Sequence, residues 1–308
     1  MTRLWFQRSR RIRRCSGQTL IVALTALIVI TAIMGAITVS TLMEARVAAR
    51  HKDYVQAFYA ARAGLEAGAY LLLGDDPDCD ALSDGWVASP LYDNMSIGPA
   101  RYHVFYRAAE DGERRTGIVD EERKLNINTA EPASLQALHP ALTSEIVSRI
   151  VAQRQIRRFT RLSEIELIPG VAEGFLDDAR EGAPAGLQSL LTVHGDGRVN
   201  VNTAPLPVLT ALGGLTEAQA AKLIEMRAGV GQNEDANVFR SVNEVRDILD
   251  MTDADINALR SKLGVSSRHF RIQSRAVFMK NEKIQRELRQ FVRRDSDGIT
   301  VIQFEQIN

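Results

Sequence analysis

Residues 19–43 read TLIVALTALIVITAIMGAITVSTLM, 25 positions without a charge. As a helix rising about 1.5 Å per residue, the run covers roughly 37 Å, enough to cross a hydrocarbon core of about 30 Å. The helical pattern continues beyond it. Val47, His51, Tyr54, Phe58, Ala61, Leu65 and Leu72 follow at steps of three, four or seven, with charged residues between them. Gly74 and Pro77 are the first helix breakers. The expectation is one helix over residues 18–73, apolar all round in its first half and amphipathic in its second.

Upstream of the run, residues 1–17 hold six arginines (Arg3, Arg8, Arg10, Arg11, Arg13, Arg14) and no acid. The whole chain of 308 residues balances 38 Lys+Arg against 38 Asp+Glu. Without the first 17 residues the balance falls to 32 basic against 38 acidic, which excludes a uniformly basic nucleic-acid binder. Basic residues ahead of an apolar span keep the N-terminus cytoplasmic and send the remainder across. Two cysteines, Cys15 and Cys79, exclude a disulfide-dense scaffold. Gly-x-Ser-x-Gly, P-loop, Gly-x-Gly-x-x-Gly and His-Glu-x-x-His motifs are all missing, and the five histidines are dispersed as surface or capping residues. No enzyme is expected.

Past the helix, residues 74–98 are rich in Asp, Gly, Pro and Ser and read as loop. Strands are expected at Arg101–Arg107, Gly117–Asp120, Phe270–Met279 and Gly298–Phe304. A further segment, Ile284–Val292, fits a strand or a helix. Between the two strand groups lies an internal repeat. KLNINTAEPASLQAL (124–138) returns as RVNVNTAPLPVLTAL (198–212), 74 positions on. Each copy runs into a helical segment ending in Arg (Arg154, Arg227), then a Phe (Phe159, Phe239) and an acidic-apolar phrase. Asn128 or Thr129, and Asn202 or Thr203, are expected to cap the helix that follows, with Pro132 and Pro205 in its first turn. Leu135, Leu138, Leu209 and Leu212 should face the core. Gly213-Gly214 and Pro169-Gly170 mark tight turns of helix-hairpin-helix type.

Cys15-Ser16-Gly17 followed by Gln18-Thr19-Leu20-Ile21-Val22 resembles the leader and mature start of type IV pilins and type II secretion pseudopilins. The resemblance implies cleavage between Gly17 and Gln18 by a prepilin peptidase. Val22 stands where the family usually has Glu, which implies a subunit that does not insert beneath another. Asp120-Glu121-Glu122-Arg123-Lys124-Leu125-Asn126-Ile127-Asn128, the second Asn-x-Asn-Thr-Ala and the return to strands resemble the minor pseudopilin K family of type II secretion. That family implies an α+β, pilin-like fold, a long helix on a small antiparallel sheet, with a large inserted helical domain. The divisions are then a leader (1–17), the membrane and pilus helix (18–73), and a first pilin-like part (74–120). The inserted domain (121–265) holds repeats at about 124–180 and 198–264, and C-terminal strands (266–308) complete the fold. The implied setting is a single pass through the inner membrane with the bulk in the periplasm. The implied role is at the pseudopilus tip beside I- and J-type minor pseudopilins, above the major pseudopilin, helping assembly start.

Two side readings accompany it. The repeat also resembles a membrane-anchored competence DNA receptor, and Arg154, Arg157, Arg158 and Arg161 would share a face if their helix ran that far, with Arg149 nearby. The first repeat holds the arginines, but its first hairpin, Leu138-His139-Pro140-Ala141-Leu142, lacks the Gly of the second's Gly213-Gly214, and that split weighs against nucleic acid. Asp75, Asp76, Asp78, Asp80 and Asp84 cluster in one loop and could ligate calcium, which pseudopilins of this system often bind. The spacing lacks the Gly and terminal Glu of an EF-hand.

Overall fold

The computed structural model describes residues 16–108, 112–171, 174–176, 186–229 and 238–307. Residues 1–15, with all six arginines, lie outside the described residues. The chain divides into two units, residues 1–53 and 54–308.

In the first unit the described residues form part of α1 (Ser16–Leu73), a single helix of 58 residues. Every side chain from Gln18 to Lys52 is exposed, and an 18-residue window reaches a mean hydropathy of 2.8. Thr25 bonds the Ile21 and Val22 carbonyls at 3.0 Å, and Thr31 those of Leu27 and Ile28 at 2.9 Å. The hydroxyls are thus satisfied within the helix, as a hydrocarbon environment demands.

In the second unit the later half of α1 lies on a sheet. Ala57, Ala60, Ala61, Leu65 and Leu72 form its buried face. Gly64 and Gly68 set the closeness of the contact. A Cβ on Gly64 would lie 2.8 Å from Tyr102 Cδ2, and one on Gly68 would lie 2.9 Å from Ile272 Cγ2. The sheet has seven antiparallel strands, with the order β1 (Met95–Ile97), β2 (Ala100–Arg107), β9 (His269–Phe278), β10 (Asn281–Asp295), β11 (Gly298–Ile307). Two short strands, β3 (Arg114–Thr116) and β4 (Val119–Asp120), pair with β2 and β9 respectively. Phe270, Ile272, Ser274, Ala276 and Phe278 alternate along β9 toward α1, which is the period of two expected of a half-buried strand. The same period settles the ambiguous segment. Ile284, Leu288 and Val292 fit helical spacing, but Gln290 and Arg294 are buried as well, so β10 alternates as a strand. β1 and a 3-10 turn at Pro90–Tyr92 fall in the stretch that composition alone reads as loop.

Between β4 and β9 the chain builds a second hydrophobic core from helices. The first copy of the repeat runs β5 (Leu125–Asn126), α2 (Pro132–Leu138), α3 (Ser144–Ile156), α4 (Leu187–Leu190), β6 (Leu191–Thr192). The second runs β7 (Val199–Asn200), α5 (Leu206–Ala211), α6 (Glu217–Arg227), α7 (Val242–Leu249), α8 (Asp253–Arg260), β8 (Leu263–Gly264). Each copy opens on a two-residue strand and closes by laying another parallel to it: Leu125 faces Leu191, and Val199 faces Leu263.

Candidate functional site

The residues shared by the two copies are latches. Asn128 accepts the Phe159 N–H at 2.8 Å and donates to the Phe159 carbonyl at 3.0 Å. Asn202 does the same with Phe239, at 2.9 Å both ways. Neither caps a helix: α2 has Glu131 at its N-cap and α5 has Pro205, both without a side-chain cap bond. The expected Asn or Thr caps are therefore corrected. Each amide is drawn instead to a backbone segment more than thirty residues away, where both of its polar ends are satisfied. The arginine closing each helix completes the latch. Arg154 donates to the Ile127 and Ala130 carbonyls, each at 2.8 Å, and Arg227 donates to Val201 at 2.7 Å.

This geometry also corrects the arginine stripe. α3 ends at Ile156, so Arg157, Arg158 and Arg161 lie beyond it and share no helical face with Arg154. Arg157 pairs with Glu164 at 2.9 Å, and Arg149 pairs with Glu145 at 2.6 Å and bonds the Pro169 carbonyl. Arg158 is exposed, and Arg161 forms the N-cap of a 3-10 turn, Leu162–Leu167.

Where the helical domain joins the sheet there is a buried charged network that sequence reasoning missed. Asp120, Glu121, Glu122, Arg123 and Lys124 are all buried, in and beside a 3-10 turn. Asp120 accepts from Asn200 at 3.2 Å, Thr203 at 2.5 Å and Ser267 at 2.7 Å. Burial, and then the neighbouring Glu122, raise its carboxyl above the usual range. Glu122 accepts the Arg268 and His269 N–H groups and pairs with the His269 ring at 2.8 Å. Glu121 bonds Lys124 at 2.6 Å and Thr192 at 2.7 Å. Burial pushes its carboxyl up, but Lys124 and then Arg271 outweigh that and hold it at about 2. In sequence the five residues look like a solvated turn. The only signal was the family phrase beginning at Asp120.

Of the acidic loop, Asp75, Asp80 and Asp84 converge, with ligand atoms within 4.8 Å of one another. Asp76 and Asp78 stay outside this group, exposed, with Asp76 capping the Asp78 N–H at 3.0 Å. Arg294 reaches into the cluster, bonding Asp80 at 2.6 Å and lying 3.5 Å from Asp75. Burial is the main cause that raises Asp80 to about 7, and it raises Asp75 as well, with help from Asp84.

At the other end, α1 already includes Ser16, so the Gly17–Gln18 bond lies in its first turn. Val22 is 66% exposed, one helical turn beyond Gln18.

Comparisons with known proteins follow this division. The family described as type II secretion system (T2SS), protein K, matches residues 125–183 and 199–266, which are the two repeats. A family described as PilX N-terminal matches residues 16–66, on α1. Among solved structures, the GspK–GspI–GspJ complex from the type 2 secretion system of enterotoxigenic Escherichia coli contains a chain of similar fold. The TM-score is 0.58 at 14% identity, covering 84% of this chain and 98% of that one. Among curated proteins, endonuclease/exonuclease/phosphatase family domain-containing protein 1 of Rattus norvegicus and of Mus musculus are each 30% identical over 152 residues. Those alignments take in 42% of this chain, which spans about a quarter (25%) of the length of the curated relatives it matches.

Proposed function

We infer from these matches that the chain belongs with the type II secretion protein K family and is a minor pseudopilin of that apparatus. One observation carries the inference. The family match falls on the two-repeat domain, and that domain interrupts a helix-on-sheet fold between β4 and β9. Its partners are other minor pseudopilins, as in the solved complex.

On this reading, prepilin peptidase cuts between Gly17 and Gln18. The uncharged part of α1 then holds the chain in the inner membrane, N-terminus cytoplasmic, with the folded unit in the periplasm. The chain takes the tip of the pseudopilus beside I- and J-type subunits, above the major pseudopilin, and helps assembly begin. Two features support the tip. No carboxylate occurs between Gln18 and Glu44 to pair with a neighbour's terminal amine. The inserted domain, with a core of its own, makes the head too large to repeat along a fibre. The role is one of assembly and not of catalysis. Calcium belongs to the same reading: Asp75, Asp80 and Asp84 would hold it, Asp75 offering Oδ2, which is buried and makes no hydrogen bond but lies 3.5 Å from Arg294.

Co-expression with a prepilin peptidase tests the reading. The chain should shorten by 17 residues, and Gly17→Ala should block the cut; a wild-type chain left whole would sink it. The DNA-receptor reading has less support, because Arg154 is committed to backbone carbonyls and Arg149 and Arg157 to acids. Duplex DNA titrated at two salt concentrations should therefore give no tight, salt-sensitive binding.

A further inference from the structure

On the sheet face turned away from α1, Arg271, Gln273 and Arg275 alternate along β9 and therefore project to one side. Arg271 is only 4% exposed. Its one interaction among the described residues is a loose ion pair, Nε to Glu121 Oε1 at 3.7 Å, and that oxygen already accepts from Lys124 at 2.6 Å. A guanidinium offers five N–H donors, and a buried one without a hydrogen bond is costly. Arg275, its side chain 31% exposed, leaves a donor unused as well. Its Nε is buried with no hydrogen-bond partner, and Glu287 lies 3.7 Å away.

Both arginines border a cavity of about 300 Å³ whose charged lining is Arg107, Arg114, Arg271, Arg275, Arg289 and one acid, Glu287. Arg271 and Arg289 also border a second cavity of about 230 Å³ against the first repeat. Arg107 and Arg114 stand directly opposite each other across β2 and β3, Arg107 donating to the Gly112 carbonyl at 3.3 Å and Arg114 lying over the Phe105 ring. A chain whose mature part is net acidic thus concentrates formal positive charge in one concave spot, and there, among the described residues, Arg271 makes no hydrogen bond and Arg275 leaves its Nε unbonded.

We propose that this cleft is an oxyanion-binding site, in which Arg271 and Arg275 donate to a carboxylate or phosphate group. The planar fork of arginine matches either anion in a two-point contact. The chemistry is common to a free phosphate ion and to the side chains of an acidic peptide segment.

The test is calorimetric titration of the full chain, in neutral detergent at low salt, with inorganic phosphate in one arm and a capped tetraglutamate peptide in the other. Saturable binding is expected in at least one arm; phosphate alone points to a free ion, the peptide alone to a partner segment. Arg271→Gln and Arg275→Gln should each weaken it about tenfold, the loss of one charge-assisted bond. Arg101→Gln, on β2 outside both cavities and paired with Glu282, should leave it unchanged. If Arg271→Gln fails to fold, as judged by circular dichroism, Arg275→Gln and Arg107→Gln carry the comparison. No saturable binding in either arm, or binding that these variants do not weaken, overturns the proposal.

Discussion

Asn202 shows how much one side chain can hold in place. It is 1% exposed, accepts the Phe239 N–H and donates to the Phe239 carbonyl. Asn202→Ala leaves the Phe239 N–H buried without a partner, at about 1–3 kcal/mol, and leaves its carbonyl only the weak Cys79 S–H donor at 3.4 Å. Denaturant unfolding should show a loss of roughly 2–4 kcal/mol, with a smaller loss for Asn128→Ala, whose site is only partly buried. Glu121 yields a second expectation. Its carboxyl is held at about 2, so its contribution is present above its ordinary value near 4.5 and fades as pH falls toward 2. Glu121→Gln should cost about 3–5 kcal/mol at pH 7, because it leaves Lys124 and Arg271 buried without their acid. The gap between variant and wild type should close on acidification. Neither residue was legible in sequence for what it does. The Asn-Thr-Ala phrase is local, and capping rules read it locally, whereas the partner of Asn202 lies 37 positions on.

At the scale of elements, the seat of α1 on the sheet depends on a missing side chain. A methyl group at Gly64 would press on Ser274 and Tyr102, so Gly64→Ala should cost about 1–3 kcal/mol despite the better helix propensity of Ala. Gly35, in the first unit, has nothing within 4 Å, and Gly35→Ala should leave helix content intact or raised. Thermal melts followed at 222 nm would separate the two cases. α1 was the most legible element, because an uncharged run followed by a 3.6-residue stripe has no competing period. β10 was the least: Ile284, Leu288 and Val292 satisfy two periods at once, and only the buried Gln290 and Arg294 decide between them. A sequence gives no sign that Gln290 is inside, since its partner is the Leu65 carbonyl on another element. The acidic loop was half legible: composition marks all five aspartates, but the turn that gathers Asp75, Asp80 and Asp84 depends on Arg294, more than 200 residues away.

For the molecule as a whole, the charged junction ties two cores together. Asp120 and Glu122 bond residues of both the helical domain and the sheet, so calorimetry on the wild type should give one unfolding transition for the second unit. Asp120→Ala together with Glu122→Ala should separate it into two. The pH profile carries the opposite sign to that of Glu121. Burial raises Asp80 to about 7 from an ordinary value near 3.8, so the stability its proton supplies is complete below 3.8 and lost as pH climbs through about 7. Asp80→Asn should flatten that decline, as read by denaturant midpoints between pH 4 and 8. If calcium binds, it should raise the melting temperature of the wild type, and Asp75→Asn or Asp84→Asn should abolish the rise. The helical domain also leaves the sheet where it entered. Asp120, on its last strand before the excursion, accepts from Ser267, just ahead of the next. The register His103 to Arg275 therefore joins residues 172 positions apart. During synthesis β2 is finished long before β9, its partner along Ala100–Val104, exists. The helical domain, closed on itself by its two small parallel ladders, has time to fold first and can then deliver β9 to a waiting edge. The interruption that looks like an obstacle to folding is also what brings the late strand back to its place.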